Sequence, residues 1–196
     1  MTSDRPFILG LDLDGVTGDY TGEFRRHVAR SLGVAESTLP RPSTWSFADA
    51  GWGITSEQYM ELHSQAVRNG MFRAMPLMDG ASDALWALSN AGVHIRVITH
   101  RLIVKQLHNT SVTDTVTWLD THNIPYRDVC FVADKFHVDA DVYIDDAPHN
   151  VTALRENGQN VITFDATYNR SLPGARALNW DDAKAQVMAL AATRGL

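Results

Sequence analysis

Phe7-Ile8-Leu9-Gly10-Leu11-Asp12-Leu13-Asp14-Gly15-Val16 is the stretch from which the fold can be read. Its apolar run, Phe7 to Leu13, has the length and composition of a strand. It does not alternate cleanly between polar and apolar residues, as expected for a strand covered on both faces. Both aspartates should therefore emerge at a strand's carboxyl end. Residues i and i+2 of an extended chain point to the same side, so Asp12 and Asp14 can face one pocket unless the strand breaks between them. Such a pair repels unless a cation or a shared proton compensates. Gly15 lets the chain turn sharply beside a ligand. Asp and Gly are also common in ordinary solvated turns, so the stretch alone leaves both readings open.

Working outward, four more short runs rich in β-branched residues read as strands: Val93 to Ile98, Val129 to Val132, Val142 to Ile144, and Val161 to Phe164. Helical patterns lie between them. Ala84, Leu85, Leu88 and Ala91 recur at helical spacing, with Gly92 as the stop. Thr113 to His122 and Val151 to Glu156 read as crossover helices, and Asn179 is a good N-cap for a last helix carrying Asp181 and Asp182 in its first turn. Strands alternating with helices imply an α/β fold with a doubly wound, Rossmann-like parallel sheet.

One interval breaks this rhythm. Thr17 to Met78 holds no convincing strand, but a helix near Tyr20 to Leu32, a Pro-rich stretch from Pro40 to Phe47, and a helix from Glu57 to Asn69. Thr55 with Gln58 resembles a capping box, and Gly70 is a plausible stop. A connection this long is an inserted unit rather than a loop. The expected division is a core of residues 1–16 and 79–196 with a small helical cap at 17–78. The cap leaves after the first strand, at the edge where open α/β sheets bind ligands, so it reads as a lid.

Composition bounds the function. The 196 residues suit one main domain with an insertion, and 44% hydrophobic content can supply a core. Net charge is −6, with 14 Arg and three Lys and no run of like charges, which argues against a nucleic-acid polymer held through its phosphates. The lone Cys130 rules out an internal disulfide. No apolar stretch approaches a membrane span and the N-terminus lacks a signal-peptide core, so a cytoplasmic protein is expected. The eight histidines show no i, i+4 metal pair, which makes a zinc site improbable. His100 alone falls beside the proposed pocket.

Three further features end strand-like runs. Asp145-Asp146 follows Val142-Tyr143-Ile144 and offers oxygen ligands for a hard cation such as Mg²⁺, or an acidic cap on the helix beginning near Pro148. Thr99 follows Val93 to Ile98, where a hydroxyl and backbone amides can hold a phosphate oxygen. Lys135 comes close after Phe131 and Val132, and taken alone would be a solvated surface group. Their order along the chain is acid pair, hydroxyl, lysine, acid pair, each beyond a strand's carboxyl end.

In this ordered set the sequence resembles the haloacid dehalogenase-like phosphohydrolase superfamily over roughly Phe7 to Phe164. The resemblance implies that Asp12 is a nucleophile forming an aspartyl phosphate and that Asp14 is the general acid/base. It implies that Thr99 binds the phosphoryl group, with His100 beside it, and that Lys135 offsets negative charge. Mg²⁺ would be held by Asp12, the main-chain carbonyl of Asp14, and Asp146, with Asp145 supporting or sharing that role. An anion cannot attack a phosphate dianion unless cations neutralise the site.

The segment Asp134-Lys135-Phe136-His137-Val138-Asp139-Ala140-Asp141-Val142-Tyr143-Ile144-Asp145-Asp146 narrows the resemblance to the 5′(3′)-deoxyribonucleotidases and their bacterial and phage relatives. In those enzymes lid aromatics stack on the nucleobase of a deoxyribonucleoside monophosphate. Tyr20 falls where such an aromatic belongs, and Trp45 with Phe47 fits the lid's pair more loosely. With Trp52 these rings could equally form the core of a small lid. The better-known members follow the phosphate-binding Thr with Ser-Pro, whereas this chain has His100-Arg101. Arg101 could add a phosphate contact or lie outside the pocket. The expected partner is a small phosphomonoester, foremost a nucleoside monophosphate, and a homodimer is compatible. A phosphatase of sugar phosphates, a phosphomutase and a non-catalytic phospho-ligand module remain open alternatives.

Overall fold

A computed structural model describes residues 5–195. Six strands form one parallel sheet: β1 (Ile8–Leu11), β2 (His94–Thr99), β3 (Asp128–Phe131), β4 (Val142–Asp145), β5 (Val161–Phe164) and β6 (Arg176–Ala177). Their order is β3-β2-β1-β4-β5-β6. This is the doubly wound arrangement, whose order reverses between β1 and β4 and opens a crevice there at the carboxyl edge. The five expected strands are present. The sixth, β6, spans two residues with an arginine and carries no sequence signal.

Helices cover both faces: α4 (Ala81–Asn90), α5 (His108–Thr121), α6 (Pro148–Glu156) and α7 (Trp180–Ala192). α5 begins earlier than the sequence suggests, whereas α6 begins at the expected Pro148. The first residues of α5, His108-Asn109-Thr110-Ser111, look like a loop because polar side chains compete for the backbone. Pro148 at the first turn of α6 follows Ala147, which offers no side-chain cap; Asp145 Oδ1 instead accepts from the Ala147 amide at 2.9 Å.

Register carries the acids to one place. Leu11 lies beside Ile144 in the β1–β4 pair, and the Asp12 amide extends the ladder by donating to Ile144 O at 3.1 Å. Asp12 thus flanks Asp145. The strand does not continue to Leu13, because the chain folds into a turn in which Leu13 O accepts from Thr17 N (3.0 Å) and Gly18 N (2.8 Å). At the opposite edge of the sheet, Asp141 fixes the start of β1. Its carboxylate accepts from Ile8 N at 2.7 Å and pairs with Arg5 and Arg194.

Residues after this turn form α1 (Tyr20–Leu32), α2 (Ser56–Arg68) and the short α3 (Met71–Ala74). Asp19 caps α1 through Gly22 N at 2.9 Å, and Gly33 ends it in the left-handed region. The Thr55–Gln58 capping box on α2 is present in both directions. The interval leaves and returns side by side, with Asp19 N donating to Pro76 O and Met78 N to Thr17 O, both at 2.8 Å. Three groups of buried side chains result. One lies between the sheet and α4, α5 and α7. A second, with Ile8, Ile98, Tyr143, Val151 and Leu154, joins the sheet to α6. The third is centred on Phe24, Trp52, Val67 and Phe72 of the inserted interval and includes Leu107 from beyond it. Among the described residues, no helix is long and apolar enough to cross a membrane.

Candidate active site

A cavity of about 420 Å³ opens at the switch point between β1 and β4 and is roofed by the inserted interval. Asp12, Asp14, Lys135 and Asp146 form its polar floor, and His100 stands on its wall. Tyr20, Trp45 and Phe47 also line it. The expected set therefore converges, with two qualifications. Thr99 ends β2 fully buried and off the cavity wall, its Oγ1 without a hydrogen-bond partner. Asp145 is buried behind the floor rather than on it.

Lys135 sits in the turn after β3, far from a surface role. Its Nζ lies 2.7 Å from Asp12 Oδ1 and 2.6 Å from Asp145 Oδ2, and all three residues are buried. Burial alone pulls an ammonium pKa down, but the two carboxylates overcome it and hold Lys135 above the ordinary lysine value. Asp12 shows the reverse balance. Burial pushes its carboxyl up to about 7, against the pull of Lys135 and with help from Asp145 and Asp14. Asp146 is raised well above the carboxylate range, first by burial and then by Asp12 and Asp145.

Asp12, Asp145 and Asp146 bring one carboxylate oxygen each to within 4.8 Å of one another, all buried. Their surroundings differ. Both oxygens of Asp145 are occupied by Lys135, Ala147 N and Asn150 Nδ2. Asp146 receives the Tyr168 hydroxyl on Oδ2, while Oδ1 is buried with no partner. The floor and its surroundings thus set the carboxylates of Asp12, Asp14, Asp145 and Asp146 against two cations, Lys135 and Arg101. That deficit, and the orphaned Asp146 oxygen, fit a hard divalent cation with oxygen ligands.

Arg101 answers the open question left by the His-Arg dipeptide. It neither reaches a phosphate position nor points away, but lies buried behind Asp14. Its Nε is 3.0 Å from Asp14 Oδ2 and 3.2 Å from Oδ1, and Nη2 also contacts Oδ1. Nη1 donates to Thr115 Oγ1 at 3.1 Å, and the guanidinium lies 4.3 Å from the centre of the Phe72 ring.

The roof is aromatic. Tyr20 stacks on Phe24 with ring centres 5.8 Å apart, and Phe47 stacks on Tyr59 at 5.5 Å. Trp45 reaches across to the core, edge-on to His149 (5.2 Å) and Tyr168 (5.4 Å). The sequence reading missed Tyr59, His63, His149, Asn150 and Tyr168 as cavity residues. Tyr59 and His63 carried a signal, an i, i+4 aromatic pair on one face of α2. Tyr168, in the turn after β5, carried none.

Comparison with known proteins points to one family. Residues 5–194 match the model of the family described as 5′ nucleotidase, deoxy (Pyrimidine), cytosolic type C protein. A protein of Chlorobaculum tepidum named "Putative 5′(3′)-deoxyribonucleotidase" is 41% identical over 182 residues, 92% of this chain and 89% of that one. A haloacid dehalogenase-like hydrolase from Streptococcus pneumoniae superposes with a TM-score of 0.64 at 14% identity, covering 92% of this chain and 98% of that one. A predicted phosphatase from Clostridium acetobutylicum gives 0.62 at 13%, covering 95% and 100%. These two solved structures share the fold. The chain belongs to the cytosolic type C 5′ nucleotidase family of haloacid dehalogenase-like hydrolases, and is a phosphatase.

Proposed function

We propose that the chain is a Mg²⁺-dependent 5′-nucleotidase that hydrolyses deoxyribo- or ribonucleoside monophosphates through an aspartyl phosphate on Asp12. The observation that carries this reading is the buried Lys135 Nζ at 2.7 Å from Asp12, on the floor of a cavity whose roof is aromatic. One end of the cavity suits a phosphate and the other a nucleobase. In this reading residues 17–78 act as a lid over a core formed by the rest.

Lys135 holds Asp12 Oδ1, which leaves the second carboxylate oxygen for attack. That oxygen forms a bond to phosphorus as the bond to the ester oxygen breaks, and Asp14 supplies the proton the departing alcohol needs. Asp14 then takes a proton from water. The water oxygen bonds to phosphorus, the Asp12–phosphorus bond breaks, and free phosphate leaves. Asp12, the Asp14 carbonyl and Asp146 would hold Mg²⁺, with Asp145 orienting Lys135 from behind. The cation would supply the positive charge that lets an anion meet a phosphate dianion. His100 would lie on the phosphoryl side, and Thr99, buried off the cavity wall, would reach it only after its side chain moved. Tyr20, Phe47 and Trp45 would flank the base.

The test is phosphate release from a panel of deoxy- and ribonucleoside monophosphates, with Mg²⁺ and with EDTA, for the wild type and Asp12→Asn. Release confined to Mg²⁺ and lost in Asp12→Asn is the expected result. Activity surviving in Asp12→Asn would refute the nucleophile. No preference for nucleotides over sugar phosphates would refute the substrate.

A further inference from the structure

We infer that Arg101 is a positioning residue for Asp14: the guanidinium holds the general acid/base from its buried side and ties its placement to α5 and to the packing of the lid. The inference rests on the phosphatase reading of Asp14, and concerns a residue whose side chain never reaches the cavity.

Among the described residues, Asp14 is the one carboxylate that Arg101 pairs with. The Arg101 side chain is 0% exposed, whereas that of Asp14 is 26% exposed and lines the cavity. The guanidinium therefore lies behind the carboxylate and the open side faces the reagent. Three donor contacts reach Asp14, from Nε to both oxygens and from Nη2 to Oδ1. An ionised carboxylate has about four lone-pair sites, so one direction stays open toward the cavity. A planar guanidinium fixes both the position and the plane of a carboxylate, which a point-charge lysine would not.

The guanidinium is itself anchored on three sides. Thr115 Oγ1 accepts from Nη1 at 3.1 Å and in turn donates to Ser111 O at 2.6 Å, so α5 fixes one edge. The Phe72 ring lies under one face at 4.3 Å, a favourable cation–π geometry. Met75 Sδ sits 4.0 Å from Nη2. Phe72 and Met75 belong to the end of the inserted interval, so the way the lid is seated determines where Arg101, and through it Asp14, can stand. Proton transfer to and from the ester oxygen depends on a separation within hydrogen-bond reach, and a displacement near 1 Å is costly.

A double-mutant cycle tests this on whichever phosphomonoester the wild type turns over fastest, so the outcome does not depend on nucleotides being the substrate. Arg101→Ala should lower kcat by about 10²-fold, the low end for lost acid–base catalysis, with KM changed less than about threefold. In an Asp14→Asn background the same change should cost less than about threefold more, because residues acting as a unit are not additive. Thr115→Val removes one anchor without emptying the site. It should lower kcat about fivefold, within the range for the loss of one hydrogen bond, and again have no further effect in Asp14→Asn. This second variant decides the matter if Arg101→Ala does not fold. Equal losses in both backgrounds, or an unchanged kcat, would overturn the inference while leaving the phosphatase reading intact. A wild type inert toward every phosphomonoester would overturn both.

Discussion

Asp145 and Asp146 are neighbours in sequence, yet their carboxylates have opposite surroundings. Both oxygens of Asp145 are engaged, by Lys135, Ala147 N and Asn150, whereas Asp146 keeps a buried oxygen without a partner. Asp146→Asn should therefore raise the Mg²⁺ concentration for half-maximal activity by at least about tenfold, the scale set by losses at a metal site. Asp145→Asn should chiefly lower kcat, through Lys135. Activity titrated against Mg²⁺ separates the two, and an identical shift for both would refute the division of labour. Gly15 allows a second prediction. Its φ is +87°, and a Cβ there would lie 2.0 Å from Asp146 Oδ2. Gly15→Ala adds left-handed strain of about 1–2 kcal/mol to a clash that displaces Asp146, so activity should fall well beyond what the loss in Tm implies. At this scale the sequence was a good guide to charged residues, since acids and a lysine at strand ends have few places to go. It could not show the pairing of Arg101 with Asp14, 87 positions apart, because that contact depends on how β2, α5 and the inserted interval pack together.

Within the inserted interval, Phe24 and Trp45 separate two roles that aromatic residues can have. Phe24 is fully buried and meets Phe47 at 5.1 Å, Tyr59 at 5.5 Å and Trp52 at 6.0 Å. Phe24→Ala should cost about 3–5 kcal/mol, read by urea denaturation. Trp45 is 47% exposed and touches His149 and Tyr168 beside the cavity. Trp45→Ala should leave stability within about 0.5–1 kcal/mol but raise KM for the nucleotide. A large loss of stability with KM unchanged would reassign Trp45 to structure. The sequence could not sort these rings, because an aromatic in the inserted interval can serve its buried core or the cavity wall, and only packing shows which. Phe47 does both, since it packs on Tyr59 and faces the cavity. Helices with explicit signals, such as α2 with its Thr55–Gln58 box, were legible to within a residue or two. α5, which starts without a side-chain cap, is longer than its sequence pattern suggests, and the four-residue α3 has no sequence signal.

For the molecule as a whole, the charge gathered at the switch point sets how stability responds to pH. With no cation bound, burial pushes Asp12 up to about 7, and Asp146 is raised as well. An aspartate with a raised folded pKa binds its proton more tightly than in the unfolded chain, where the value is near 3.9. Its contribution is therefore fully present below that unfolded value and is lost as pH rises through the folded one. The histidines act in the opposite direction. Burial lowers His63, His149, His100 and His27 below 6.5, so they favour the folded state above that pH and penalise it below. The two slopes oppose each other, and only that of the aspartates can be removed by a cation at the site. Asp12 alone should take on the order of 1 kcal/mol from the metal-free protein between pH 6.5 and 8. A divalent cation binds the deprotonated carboxylates and stabilises only the folded state, so saturating Mg²⁺ should abolish or reverse this slope. Urea denaturation at pH 6.5 and 8, in EDTA and in Mg²⁺, gives four stabilities that decide the point. A slope that Mg²⁺ leaves unchanged would place the cation somewhere other than Asp12 and Asp146.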